Sequence, residues 1–345
     1  MRLANGRICL LVFLLLPALA DAAEEFEIVS LLGMHSRFLE PDARAISMGT
    51  AVTAVAEGAA APYWNLGVLG LPGPTGALSY SSRKKNARYH FFSVTGNWNG
   101  IGVGGHFTGM NYDSRVRTIF DPSGERSFGL SLYFGLVGAG IDVGRLIPGF
   151  PEEMEWGTGL GIGLLRNEVG SSEGEGWDMD LGTVLSWRLP VEQPGGATSL
   201  TLRTGYVLRD MWDRDLEIHG ASIPLGRQDR LGLAAIVQST RESRLGPLFE
   251  ATISWDRRGL FYEWAESRNQ IGAEITLGGL LSIRTGHIWE DSPYYDTTPF
   301  WGMGIGLGPE NQFIPGVGVQ VDYAEGQRVI VPDADQITAS VWVAL

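Results

Sequence analysis

"WDMDLGTVLSWRL", residues 177–189, alternates between two kinds of residue along its whole length. One face carries Trp177, Met179, Leu181, Thr183, Leu185, Trp187 and Leu189. The other carries Asp178, Asp180, Gly182, Val184, Ser186 and Arg188. A period of two is the signature of a β-strand with one face in an apolar medium. Length identifies the medium. Trp177 and Trp187 share a face ten residues apart, which at about 3.3 Å per residue is about 33 Å of strand. A tilt of about 40° projects this to about 25 Å, the height of the apolar band between the aromatic girdles of a membrane barrel. Strands of soluble proteins are commonly about 5–6 residues long. The segment therefore reads as one stave of a transmembrane barrel. Trp177 and Trp187 stand in its two girdles, lipid lies against their face, and the lumen lies against the other.

The pattern recurs from about residue 75 to the end. "SFGLSLYFG" sets Phe128, Leu130, Leu132 and Phe134 against Ser127, Gly129, Ser131 and Tyr133. "SLTLRTGYVLR" sets Leu200, Leu202, Tyr206 and Leu208 against Thr201, Arg203, Gly205 and Arg209. "LFEATISWD" sets Phe249, Ala251, Ile253 and Trp255 against Glu250, Thr252, Ser254 and Asp256. In "QITASVWVAL", Ile337, Ala339, Val341, Val343 and Leu345 share a face. Asn99-Gly100 and Gly278-Gly279 are hairpin turns. Polar connections fall at 110–126, 145–154, 167–176, 210–229 and 289–299. The fold expected is all-β: an antiparallel transmembrane β-barrel of about 14 strands, within a range of 12–16.

Composition agrees. Arg2 and Arg7, the apolar run "ICLLVFLLLPALA" and the small-residue site at Ala18-Leu19-Ala20 form an export signal over residues 1–20. Thirteen apolar residues interrupted by Pro17 are too few to span a bilayer. The one cysteine, Cys9, lies inside that signal, so the exported chain has neither disulfides nor thiolate metal sites. Loss of Arg2 and Arg7, with no acid among residues 1–20, takes the formal charge from -13 to -15. Such a chain repels nucleic acid.

Glycines fall on one face of several strands: Gly157, Gly159, Gly161 and Gly163, then Gly302, Gly304, Gly306 and Gly308. Period-2 glycines with no following helix are not a dinucleotide loop. They permit strong twist in a closed sheet, or they clear the wall for something inside the lumen. The inward faces also carry charges of both signs. Asp178, Asp180, Glu250, Glu263 and Glu274 stand with Arg188, Arg203, Arg209 and Arg284. Such a lumen wall pairs its charges internally or with a plug.

Ahead of the strands lies "DARAISMGTAVTAVAEGAAAPYWN", residues 42–65. Ala43-Arg44-Ala45, Met48-Gly49-Thr50-Ala51, Ala54-Val55-Ala56, Tyr63-Trp64-Asn65 and Leu69 resemble the N-terminal signature of the PorV/PorQ family, within the wider FadL-like outer-membrane transport barrels. The chain departs from that signature at Thr50, at Glu57-Gly58 and at Leu66-Gly67. The resemblance implies that residues 21–74 form a lumenal hatch preceding a barrel over 75–345, with Arg44, Met48, Gly49, Tyr63, Trp64 and Asn65 as its motif. Arg44 would then need a lumen carboxylate, because a buried charge needs a partner. Asn65 would satisfy backbone groups at a turn.

Nothing in the chain points to chemistry. His35, His90, His106, His219 and His287 are scattered, with no metal-binding spacing, and no G-x-S-x-G elbow occurs. No catalytic residue, metal or cofactor is expected, and the chain is not read as an enzyme. The resemblance implies an outer-membrane protein, partnered by lipid, that takes part in transport or in secretion of protein cargo. The alternative is a FadL-like channel for hydrophobic small molecules such as long-chain fatty acids. A purely structural outer-membrane barrel is a third reading.

Overall fold

The computed structural model describes residues 41–72, 76–84, 87–98, 100–115, 127–169, 172–193, 196–212, 215–218, 221–224, 227–239, 241–260, 268–290, 298–307, 312–313, 316–326 and 336–343. The expected signal over 1–20, Glu263, Gly308 and Leu345 lie outside these residues. Fourteen long strands form the barrel. They are β1 (Gly76–Lys84), β2 (Ala87–Trp98), β3 (Ile101–Arg115), β4 (Ser127–Asp142), β5 (Met154–Val169), β6 (Ser172–Gln193) and β7 (Gly196–Arg209). The ring continues with β8 (Gln228–Ser239), β9 (Phe249–Arg258), β10 (Arg268–Leu277), β11 (Leu281–Glu290), β12 (Thr298–Leu307), β13 (Val317–Gly326) and β14 (Gln336–Val343). Each pairs antiparallel with its neighbours in sequence, and β1 closes on β14 with Leu78 opposite Val341 and Tyr80 opposite Ala339. Closure satisfies every edge, as a wall in hydrocarbon requires.

The end that carries Gly76 and Val343 is called proximal here, and the other end distal. A short hairpin, Asp215–Ile218 with Ala221–Pro224, extends β6 at the distal end. Of residues 167–176, expected as a loop, 167–169 and 172–176 instead belong to two long strands. Val169 pairs with Ser172, and Arg166 with Glu175. Charge hid this hairpin in the sequence, since Arg166, Glu168, Glu173 and Glu175 pair with one another on the outer surface.

The outward faces carry exposed apolar side chains all round the ring, among them Val103, Val137, Leu160, Ile253, Ile283 and Ile305. Val137 is 70% and Ile253 61% exposed, values that suit lipid and not a protein core. Trp177, Trp289 and Trp301 stand outward toward the distal end, and Trp187 and Phe249 toward the proximal end.

One strand runs against its expected facing. In β4, Leu132, Phe134 and Leu136 are buried inside the ring while Val137 faces out. The side chains of Phe128 and Leu130 lie outside the described residues. The reversal has a physical cause: the lumen here is apolar. Leu132, Phe134 and Leu136 pack on residues of the preceding segment, including Tyr63, Trp64, Leu66 and Leu69. Both faces of β4 therefore meet apolar surroundings, and alternation alone cannot orient it.

Candidate functional site: the segment inside the barrel

Residues 41–72 lie within the ring. They form helix α1 (Ala43–Ser47), a tight turn, a 3-10 turn (Gly58–Ala60), helix α2 (Ala61–Trp64) and a second 3-10 turn (Leu66–Gly70). Local chemistry sets these short elements. Asp42 caps α1 by accepting from Arg44 N at 3.0 Å, and Pro62 occupies the first turn of α2, as caps and first-turn prolines do. Asn65 caps the second 3-10 turn: its Oδ1 accepts from Gly67 N at 2.9 Å, while its Nδ2 donates to Thr53 O at 2.8 Å and to Thr183 O at 3.1 Å. One buried amide thus ties both halves of the segment to β6.

Small residues allow this packing, and the wall glycines complete it. A Cβ on Gly205 would stand 2.5 Å from Thr53 O, and one on Gly272 2.6 Å from Met48 O. On Gly286 it would collide with the backbone of Met48 and Gly49. On Gly102, Gly157 and Gly159 it would strike the carbonyl oxygens of Leu69, Gly67 and Leu66. A real Cβ never approaches so closely, so at these glycines segment and wall meet backbone to backbone, whereas Gly304 and Gly306 of β12 face the wall residues Asp322, Arg284 and Gln320.

The segment meets two different walls. Toward β2–β5 the contact is apolar. Tyr63 and Trp64 are buried among Tyr89, Phe91, Met110 and Leu132, with the Tyr63 and His106 rings 5.2 Å apart and His106 and Phe134 5.1 Å apart. Toward β9–β14 the contact is charged and polar. Arg44 Nη2 donates to Glu274 Oε2 at 2.6 Å, Arg284 Nε to Glu274 Oε1 at 2.5 Å, and Arg284 Nη1 to Asp322 Oδ1 at 2.6 Å. Glu274 thus accepts from two guanidiniums, and the four side chains balance in charge. Thr53 N donates to Asp256 Oδ2 at 2.9 Å, Gln270 Nε2 to Thr50 Oγ1 at 2.6 Å, and Ala43 N to Thr338 Oγ1 at 2.8 Å. Burial disfavours the charge of Arg44, but Glu274 and Glu57 more than offset this and hold the guanidinium above its ordinary range. Burial, with Asp322 adding to it, pushes Asp42 up to about 6.

The residues singled out in the sequence are distributed as follows. Arg44, Met48, Gly49, Tyr63, Trp64 and Asn65 all stand inside the ring. Glu274 and Arg284 join Arg44. Asp178 and Asp180 are buried on the inner face of β6, where Asp180 Oδ1 accepts from Asp210 N at 3.1 Å. Arg203 reaches Ser186 Oγ at 3.3 Å, and Glu250 is half-buried. Arg209 donates to Tyr63 O at 2.5 Å. Arg188 shares the face of β6 that carries Val184 and Ser186. It is exposed, with its N–H bonded to Glu153 O in the proximal 143–153 connection, because the strand has run beyond the filled part of the lumen. Asp322, Asp256, Thr338 and Gln270 were missed. Asp322 was legible by parity, since it shares the inward face of β13 with Gln320. Among the described residues no group of His, Cys, Asp or Glu could hold a metal ion.

No family model matches the chain, and no curated protein matches it. Solved structures do. A structure described as the CymD monoaromatic hydrocarbon channel is 12% identical, with a TM-score of 0.50 over 87% of this chain and 96% of that one. The Pseudomonas putida toluene transporter TodX is 10% identical, with a TM-score of 0.44 over 92% and 98%. A Pseudomonas aeruginosa FadL homologue is 7% identical, with a TM-score of 0.46 over 88% and 98%. The first of these shares the fold, and at its level of identity it shares nothing finer. The chain is a closed antiparallel β-barrel of fourteen long strands with an apolar outer face.

Proposed function

We propose that the protein is an outer-membrane channel for hydrophobic small molecules, closed in its resting state by residues 41–72. The observation that carries this reading is the occupant of the lumen. A ring of fourteen strands encloses more space than wall side chains fill, since about eight strands already fill theirs. Here a segment of the same chain fills it, held by side-chain contacts that can break. The described ladders run unbroken around the ring, so a molecule that crosses must pass that segment. Between that segment and the wall, Tyr63, Trp64, Phe91, Met110 and Leu132 form a buried aromatic and apolar cluster, which once opened favours an apolar permeant, with the Arg209 and Arg230 guanidiniums over the Tyr63 and Trp64 rings. The description of CymD as a hydrocarbon channel agrees with this reading. No feature of the described residues favours protein cargo, so secretion is not carried further.

The test is uptake. Gram-negative cells carrying this barrel should take up radiolabelled toluene or oleate at low concentration faster than cells carrying an empty vector. Equal uptake of both probes by the two strains would overturn the proposal.

A further inference from the structure

We propose that the lumenal segment opens in two parts: residues 41–57 release first, pivoting at Gly58, while residues 58–72 stay on the wall. The inference rests, for its functional meaning, on the reading of residues 41–72 as the closure of the lumen. Three independent observations carry it.

The first is the kind of contact each part makes. Residues 41–57 bind β9–β14 through the Arg44–Glu274 pair and through side-chain hydrogen bonds to Asp256, Gln270, Thr338 and Gln336. Water can replace every one of these; besides them this part buries Ala43 and Ile46 with Ile288, Phe300 and Ala324 and seats Met48 and Gly49 on Gly272 and Gly286. A hole of about 30 Å³ lies among this part, the start of the second part and the wall, lined by Asp42, Arg44, Gln320 and Asp322 and also by Ala60 and Trp64, which is room for about one water. Residues 58–72 accept hydrogen bonds at Tyr63 O from Arg209 and at Ala59 O from Ser93, but their larger contacts bury Tyr63, Trp64, Leu66 and Leu69 among apolar wall residues and seat the backbone against Gly102, Gly157 and Gly159. Water cannot replace those contacts.

The second is connectivity. Pro72 is four residues from Gly76, the start of β1. The second part is therefore tethered to the wall at once, whereas Asp42 is joined to the wall in sequence only through that part.

The third is strain. Thr50 is buried with φ +60°, directly after Gly49 at φ +60°. A β-branched residue in the left-handed region is strained. The hydrogen bond from Gln270 to its hydroxyl holds it there, so release relieves the strain. Gly58 also has φ +60°, a conformation that glycine adopts freely. It lies beside a cavity of about 180 Å³ lined by Ala56, Glu57, Gly58, Ala61, Val68 and Leu69, among others. Swinging residues 41–57 away uncovers Trp64 and Tyr63, against which Val52, Val55 and Ala56 now pack. The passage so opened runs along the aromatic surface.

Hydrogen exchange followed by mass spectrometry on the intact barrel in detergent tests this directly. The amides of Ile46, Met48, Thr50 and Val55 are hydrogen-bonded within the first part, and those of Asn65, Val68 and Leu71 within the second. The first group should exchange at least about tenfold faster than the second. Glu274→Ala should accelerate the first group alone, and Thr50→Asn, which tolerates the left-handed region and keeps a side-chain oxygen for Gln270, should slow it. Equal rates for the two groups, a faster second group, or equal acceleration of both by Glu274→Ala would overturn the proposal and mean that the segment moves as one body. Uneven exchange still supports the two-part release if deletion of residues 42–65 leaves conductance unchanged. In that case the channel reading fails alone.

Discussion

Replacing Glu274 by Ala should unlatch the segment. Glu274 is 5% exposed and accepts from Arg44 at 2.6 Å and from Arg284 at 2.5 Å. Removing one partner of a buried pair costs about 3–5 kcal/mol, chiefly because the other charge is left uncompensated. The loss is unequal here. Arg284 keeps Asp322 on the wall at 2.6 Å, whereas Arg44 keeps only partners of its own segment, Val55 O at 3.1 Å and Glu57 at 3.3 Å, the latter 60% exposed and screened. The cost therefore falls on the partner that belongs to the segment. Water reaching a released Arg44 recovers part of it, so the closed state should lose about 2–3 kcal/mol relative to the open one. At about 1.4 kcal/mol per tenfold, that raises the open-to-closed ratio by about 30- to 140-fold. Single-channel recording in planar bilayers reads this as open probability. A double-mutant cycle with Arg44→Ala should show coupling of about 1–3 kcal/mol. Unchanged open probability in Glu274→Ala, or strict additivity with Arg44→Ala, would refute the latch.

Ile253→Arg, at an outward position on β9, should cost about 2–4 kcal/mol of folding free energy in urea titrations from lipid vesicles, the penalty for a cation near mid-bilayer; a cost below about 0.5 kcal/mol would mean that this face does not meet lipid. Gly286→Leu should drive the segment off β11 by collision with Met48 and Gly49 and raise conductance, while the unboiled protein keeps the gel mobility of a folded barrel. Loss of that mobility would mean that Gly286 serves the strand and not the contact. Asp256→Asn removes a charge but keeps an acceptor for Thr53 N, so its open probability should stay within about threefold of the parent; a change as large as that of Glu274→Ala would mean that charge at this place matters as well.

Alternation and strand length were enough to read the barrel. They worked best where the lumen face is polar, as in β7 and β9, where Arg203 and Arg209, or Thr252, Ser254 and Asp256, point inward. They failed at β4, where the lumen is filled by apolar side chains and the two faces of the strand look alike in sequence. They failed also at residues 167–176, where two strands rise beyond the apolar band and carry the charges of a surface. The segment within the lumen was legible as a run of small residues matched by wall glycines. Its partners were not. Arg44 called for a carboxylate, but Glu274 is 230 residues away, and only the closing of the ring decides which of several inward acids it meets. Asp256 and Asp322 could be placed on inward faces by parity, but their partners came to notice only through that closure.

The central claim is that residues 41–72 close the lumen, and the ionic conductance of the barrel with and without residues 42–65 tests it most directly. The deletion leaves all fourteen strands intact, so both proteins should fold and show the same heat-dependent gel shift. In planar bilayers the intact protein should be closed for most of the record, and the shortened one should form a stable open pore. A shortened barrel that folds and conducts no better than the intact one would contradict the claim, as would an intact protein already open.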